Sequence, residues 1–145
     1  MQIKIYYVSV MGTNRVLAEE MAEYLRTDNT VTLDEMNNVD IFSVNKENTD
    51  LLILVPYTFN YGEIPLEALD FYDDLEDVTL EGVKTWVVGT GDSTYGGSSF
   101  AKSVDIFTER CAGKGEMAAP SLKLDMYPWA DTRATVQSAL DGMTK

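Results

Sequence analysis

The chain has no histidine, and Cys111 is its single cysteine among 145 residues. Without histidine, Ser-His-Asp and Cys-His catalysis and histidine-ligated zinc are excluded. One cysteine rules out an internal disulfide and a cysteine-cluster metal site. Cys111 reads instead as a small packing residue in a helix. Positive charge is scarce: 11 Lys and Arg stand against 24 Asp and Glu, a net charge of −13. Such a chain repels polyphosphate, so no nucleic acid is expected as a partner, whereas a basic protein surface is. No apolar run approaches the ~20 residues of a membrane span. The amino terminus shows neither a basic leader nor a small-residue cleavage site. A soluble, cytoplasmic protein that does not engage membranes is expected. Internal repeats and low-complexity linkers are also missing, and the length suits a single domain over residues 1–145.

What remains is 45% hydrophobic, enough to bury a core. Strand and helix patterns alternate along it. "IKIYYVSV" (Ile3 to Val10) is β-branched and aromatic and reads as a strand. "NRVLAEEMAEYLR" comes next, with Leu17, Met21 and Leu25 on one helical face. A shorter strand is expected around Thr30 to Leu33, and "NNVDIFSVNKENTD" leaves a brief helix or a turn open. "LLILVP" (Leu51 to Pro56) is a continuous apolar run, of the kind buried on both faces. Pro65 suits a first helical position, and Leu66, Leu69, Phe71 and Tyr72 supply an apolar side through Leu75. "VKTWVVG" (Val83 to Gly89) is another buried strand. "SSFAKSVDIFTERC" reads as a helix that opens on a serine cap, with Phe100, Val104 and Phe107 on one face. A last strand, Ser121 to Met126, precedes a closing helix from about Ala130 to Gly142. Parallel strands joined by crossover helices make a three-layer α/β sandwich. Its ligands bind beyond the carboxyl ends of the strands, where strand order reverses.

Three loops fall at that end. The first, "SVMGTN" (Ser9 to Asn14), has one glycine and several side-chain donors before a helix. It is an anion site for a small monophosphate, or a capped helix start with no ligand. It is neither the dinucleotide G-x-G-x-x-G nor a nucleoside-triphosphate P-loop, whose lysine it lacks. The second, "YTFNYGEIP", sets Tyr57, Phe59 and Tyr61 within one turn. Those rings either fold back as core or wait for a flat ligand. The third, "GTGDSTYGGSS", is permissive at Gly89, Gly91, Gly96 and Gly97 and carries one ring, Tyr95. Rings on two facing loops can sandwich a planar heterocycle. Met126, Tyr127 and Trp129 read as core or lid.

"SVMGTN" with "RVLAEEM", "YTFNYGEIP", "DFYDDLEDVTLEGVKTWVVGTGDSTY" and "FAKSVDIF" together resemble the flavodoxins, over nearly the whole chain. The resemblance implies a flavodoxin-like sandwich with a five-stranded parallel sheet of order 2-1-3-4-5 and non-covalent FMN. The uninterrupted "SLKLDMYP" is similar to the short-chain members. On the same basis, Ser9, Val10, Met11, Gly12, Thr13 and Asn14 lie where flavodoxins cradle the FMN phosphate. Phe59 lies at the inner ring face and Tyr95 at the outer one. Asn60 and Tyr61 form the peptide beside flavin N5, within a loop that also takes in Pro56, Tyr57, Thr58 and Gly62. Thr90, Gly91, Asp92 and Gly97 belong to the loop at the pyrimidine edge. Met11 brings no hydroxyl where threonine is usual, Arg15 replaces a frequent acid, and Asn60 stands where glycine is common.

The role implied is a low-potential one-electron carrier rather than an enzyme. It would shuttle between basic-surfaced redox partners, a flavodoxin reductase and acceptor enzymes, as a monomer. Asp70, Asp73, Asp74, Glu76 and Asp77 suit such docking. "YTFNYG" and "FAKSVD" also resemble the flavodoxin-like activator of the manganese-type (class Ib) ribonucleotide reductase, the alternative reading. A phosphoryl-accepting receiver would need acids after the first strand and an aspartate ending the third, where this chain has Ser9 and Pro56-Tyr57.

Overall fold

Alternating apolar and amphipathic segments become alternating strands and helices in the computed structural model, which describes residues 1–8, 12–56, 66–91, 101–125, 127 and 130–145. The chain runs β1 (Gln2–Tyr7), α1 (Thr13–Leu25), β2 (Thr30–Glu35), two 3-10 turns (Met36–Asn38 and Ile41–Ser43) and β3 (Leu51–Val55). It continues through α2 (Leu66–Leu75), β4 (Lys84–Gly91), α3 (Lys102–Cys111), β5 (Glu116–Met117), β6 (Leu122–Asp125) and α4 (Ala130–Thr144). All strand pairs are parallel, in the order β2-β1-β3-β4-β5, with β6 also on β4.

The pleat sorts side chains to two cores. Ile3, Ile5, Ile53, Val55, Trp86 and Val88 pack with Leu17, Met21 and Leu25 of α1 and Val136 and Leu140 of α4. Tyr6, Leu52, Leu54 and Val87 pack on the other face with Phe71 and Leu75 of α2 and Val104 and Phe107 of α3. β3 lies between β1 and β4 with helices over both faces, which is why it is apolar at every position and buried throughout. Cys111 sits in the second core as a free, buried thiol.

The structure differs from the sequence reading in two places. The fifth strand position is filled by two short strands: β5 pairs with Lys84 and Thr85, and β6 with Val88 to Gly91. Pro120 lies between them and has no N–H to give to the ladder. Its carbonyl instead accepts the Trp86 indole N–H at 2.9 Å, and the Ala118 amide returns to the Thr85 carbonyl at 2.7 Å. Second, α3 does not begin on a serine. It starts at Lys102 behind Ala101, which has no side-chain cap and a left-handed backbone at φ 45°. Ala101 is 2% exposed, so core packing holds it in a conformation that alanine alone would avoid. The brief helix left open after β2 forms as two 3-10 turns, the second capped by Asp40 at the Phe42 amide, 3.0 Å away. Lys4 fastens the segment that leads into β3, donating to the Asn48 carbonyl at 2.8 Å and the Thr49 hydroxyl at 2.7 Å. The Pro65 helix start lies outside the described residues.

Candidate functional site

From β1 the chain turns towards β2 on one side, and from β3 towards β4 on the other, so strand order reverses between β1 and β3. The carboxyl ends of these central strands stand side by side: the Val8 amide donates to the Val55 carbonyl at 3.0 Å. The three loops of interest leave from the ends of β1, β3 and β4, at the crevice where such sheets take ligands.

The first loop reaches α1 through Gly12, whose φ of 90° is left-handed. A Cβ placed there would meet nothing within 4 Å, so the glycine serves the backbone turn and leaves open space in front of it. No acid occupies the first turn of α1, and the first amide bond inside the helix runs from Val16 to the Gly12 carbonyl at 3.0 Å. The N–H groups ahead of Val16 have no acceptor within the helix and give that end a partial positive charge. Arg15, exposed beside them, pairs with Glu19 at 2.8 Å. Tyr7 closes β1 beneath the loop, and burial, then Glu35, holds its phenol above the usual range and neutral.

Asn14 is not turned out to solvent as a free donor. It is 1% exposed, and its Oδ1 accepts from the Thr90 amide at 2.9 Å and the Thr90 hydroxyl at 3.1 Å. The start of α1 and the end of β4, two segments expected at opposite ends of one ligand, are thus joined directly. Gly89 was not singled out as a site residue, yet a Cβ there would stand 3.1 Å from the Pro56 carbonyl oxygen. Its lack of a side chain lets the end of β3 approach β4.

Of the expected site residues, the structure places Gly12, Thr13 and Asn14 at the α1 start, Pro56 after β3, and Thr90 and Gly91 at the end of β4. Ser9, Val10, Met11, Tyr57, Thr58, Phe59, Asn60, Tyr61, Gly62, Asp92, Tyr95 and Gly97 lie outside the described residues. No group of His, Cys, Asp and Glu able to hold a metal occurs among the described residues.

A second polar cluster escaped the sequence reading. Tyr127, 6% exposed and therefore core as expected, donates its phenol hydrogen to Glu20. Arg133 grips the same carboxylate, with Nη2 2.9 Å from Oε2 and Nε 3.0 Å from Oε1. Arg133, then Tyr127, holds the Glu20 carboxyl below its ordinary range, against the opposing effect of burial. These residues line a cleft of about 550 Å³ between α1 and α4. Its two cations are already engaged, Arg133 by Glu20 and Lys145 by Asp141 at 3.2 Å. The cluster ties the loop after β6 to α1. Only the aromatic-acid-arginine combination, spread over three elements, could have signalled it.

A model of the flavodoxin family matches residues 5–137. A flavodoxin from Synechococcus elongatus is 24% identical over 142 residues, which is 98% of this chain and 82% of that one. The crystal structure of oxidised flavodoxin 2 from Bacillus cereus is 33% identical with a TM-score of 0.82, covering 98% of this chain and 97% of that one. A Fusobacterium nucleatum flavodoxin, solved bound to flavin mononucleotide, is 24% identical with a TM-score of 0.68, over 79% of this chain and 66% of that one.

Proposed function

We propose, from the premise that the chain belongs to the flavodoxin family, that it is a low-potential one-electron carrier working through non-covalently bound FMN, and not an enzyme. The observation that carries the reading is the start of α1. An open, left-handed Gly12 and a first turn free of acids stand at the crevice between β1 and β3. That arrangement fits a phosphate monoester. Bound FMN supplies the one-electron redox chemistry.

The chain's part is to bind and to bias. Ser9 to Asn14 surround the phosphate, mainly through backbone N–H groups at the helix start. Phe59 and Tyr95 take the two faces of the ring. The peptide from Pro56 through Tyr57, Thr58, Asn60 and Tyr61 to Gly62 runs beside N5, and Thr90, Gly91, Asp92 and Gly97 meet the pyrimidine edge. Apolar walls and a net charge of −13 disfavour added negative charge in the crevice, which keeps the potential low.

Asp70, Asp73, Asp74 and Asp77 are exposed on and after α2 and suit basic-surfaced partners, a flavodoxin reductase and acceptor enzymes. The protein is read as a monomeric cytoplasmic domain over residues 1–145; separately, no helix among the described residues is long and apolar enough to cross a membrane. Relatives that are themselves flavodoxins weigh for the carrier over the ribonucleotide reductase activator.

The visible spectrum of the purified protein tests this. A yellow protein that releases FMN on denaturation, and passes electrons singly in an anaerobic titration, is expected. A colourless protein that neither binds added FMN nor quenches its fluorescence would overturn the reading.

A further inference from the structure

Thr90 lies one step beyond the reach of β3. The Lys84 amide donates to the Asp50 carbonyl at 3.1 Å, so even-numbered positions of β4 aim their N–H groups at β3. The β3–β4 register ends at Leu54 opposite Val87. At Thr90 the Asn14 side chain takes the place of the missing strand, with Oδ1 2.9 Å from the amide nitrogen. A backbone N–H can only donate, so the atom facing it is the carboxamide oxygen. The Thr90 hydroxyl, 3.1 Å away, fills that oxygen's second lone pair. Both residues are buried, at 1% and 7% exposed, so water does not compete for the contact.

We propose that Asn14 is a positioning residue for the ring end of the cofactor: its side-chain oxygen holds Thr90, and with it the start of the third loop, against the first turn of α1. The proposal rests on the FMN reading above. It departs from the expectation that the Asn14 side chain serves the phosphate, and leaves that role to its backbone N–H. Ring binding then depends on a side chain that belongs to the phosphate loop, and one hydrogen-bonded contact couples the two ends of the site.

Riboflavin, which has the ring but no phosphate, separates the two roles. Asn14→Leu keeps the approximate size of the side chain and removes the acceptor; Asn14→Asp keeps an acceptor oxygen. Dissociation constants for FMN and riboflavin are read from flavin fluorescence quenching, and the Thr90 amide is followed by hydrogen exchange in the flavin-free protein. Asn14→Leu should weaken riboflavin about tenfold and speed Thr90 exchange at least about tenfold, the scale of one buried hydrogen bond. Asn14→Asp should hold riboflavin affinity and Thr90 protection within about twofold, while FMN weakens about tenfold or more because the added negative charge in the first turn of α1 repels the phosphate.

Loss of FMN affinity alone in Asn14→Leu, with riboflavin unchanged, would make Asn14 a phosphate ligand and overturn the proposal. So would loss of riboflavin affinity in Asn14→Asp, or a wild-type Thr90 amide that exchanges like an exposed one; neither needs the leucine variant to fold. A wild-type chain that binds neither flavin overturns the FMN reading and the ring-end role together. Slow Thr90 exchange in that chain distinguishes this from failure of the contact itself.

Discussion

Gly89 and Val104 touch across the β4–α3 interface so closely that a Cβ on the glycine would stand 2.7 Å from Cγ2 of the valine. Real Cβ atoms do not come that near. The backbone of Gly89 is not left-handed, so the glycine is there for the approach and not for a turn. α3 is thereby pressed onto the end of β4, beside the Pro56 carbonyl at 3.1 Å from the same point. The third loop leaves from this place.

Gly89→Ala should therefore lower stability by about 1–3 kcal/mol through overpacking. Val104→Ala removes the obstructing methyl carbons, so the double variant should be less destabilised than the sum of the two singles, by about 0.5 kcal/mol or more. Urea unfolding midpoints decide it, and strict additivity would show that the clash is relieved elsewhere.

Gly12 makes the opposite case. Its φ is 90° and nothing lies within 4 Å of a Cβ, so Gly12→Ala should cost about 1–2 kcal/mol from the backbone alone. Truncating neighbouring side chains should recover none of it. A loss that vanishes in a truncated background would point to a clash instead.

Short-range periodicity made part of the fold legible in the residues themselves. The continuous burial of Leu51 to Val55 and the helical face of Leu17, Met21 and Leu25 come from it, and the structure has both. Which three loops share one end comes from parallel topology. The pairing of Asn14 with Thr90 does not, because the residues are 76 positions apart and either polar side chain could have faced a ligand. The divided fifth position turns on one missing N–H, at Pro120, at an edge where pairing is optional. Ala101 was hidden because alanine says nothing of a left-handed backbone, which here is imposed by packing.

The Tyr127–Glu20–Arg133 cluster makes stability depend on acid. The folded pKa of Glu20 is lowered, so its contribution is present above the ordinary glutamate value and lost as pH falls through the folded one. Tyr127→Phe deletes one donor to Glu20 and should cost about 1 kcal/mol at neutral pH. The gap from wild type should narrow in acid, once Glu20 is protonated in both proteins. Unfolding curves measured at neutral pH and again below the carboxylate range test this, and a gap indifferent to pH would remove Glu20 from the account.

Cys111 is fully buried, and burial pushes its thiol up to about 12, with Lys114 opposing weakly. A thiolate is needed for attack on disulfide reagents. The folded protein should thus give no reaction with a chromogenic disulfide at mildly alkaline pH, and one equivalent after unfolding in urea. Reaction of the folded protein faster than its own unfolding rate would place the thiol at the surface.

The acidic face of α2 is not uniform, and the difference predicts which charges steer partners. Glu76 is held by Arg110, with Nη1 2.5 Å from Oε2, and that guanidinium also lies 3.9 Å from the centre of the Tyr72 ring. Its charge is largely matched within the α2–α3 joint. Asp70, Asp73 and Asp74 are exposed along α2, and the ion pairs among the described residues engage Glu19, Glu20, Glu76, Asp105 and Asp141 instead. Replacing those three aspartates by asparagine should slow association with a basic reductase about tenfold or more at low salt, and the difference should fade as salt screens the charges. Glu76→Gln should alter that rate much less, since its charge is already matched by Arg110. Stopped-flow reduction across a salt series measures both, and rates for the triple variant equal to wild type at low salt would show that partners dock on another face.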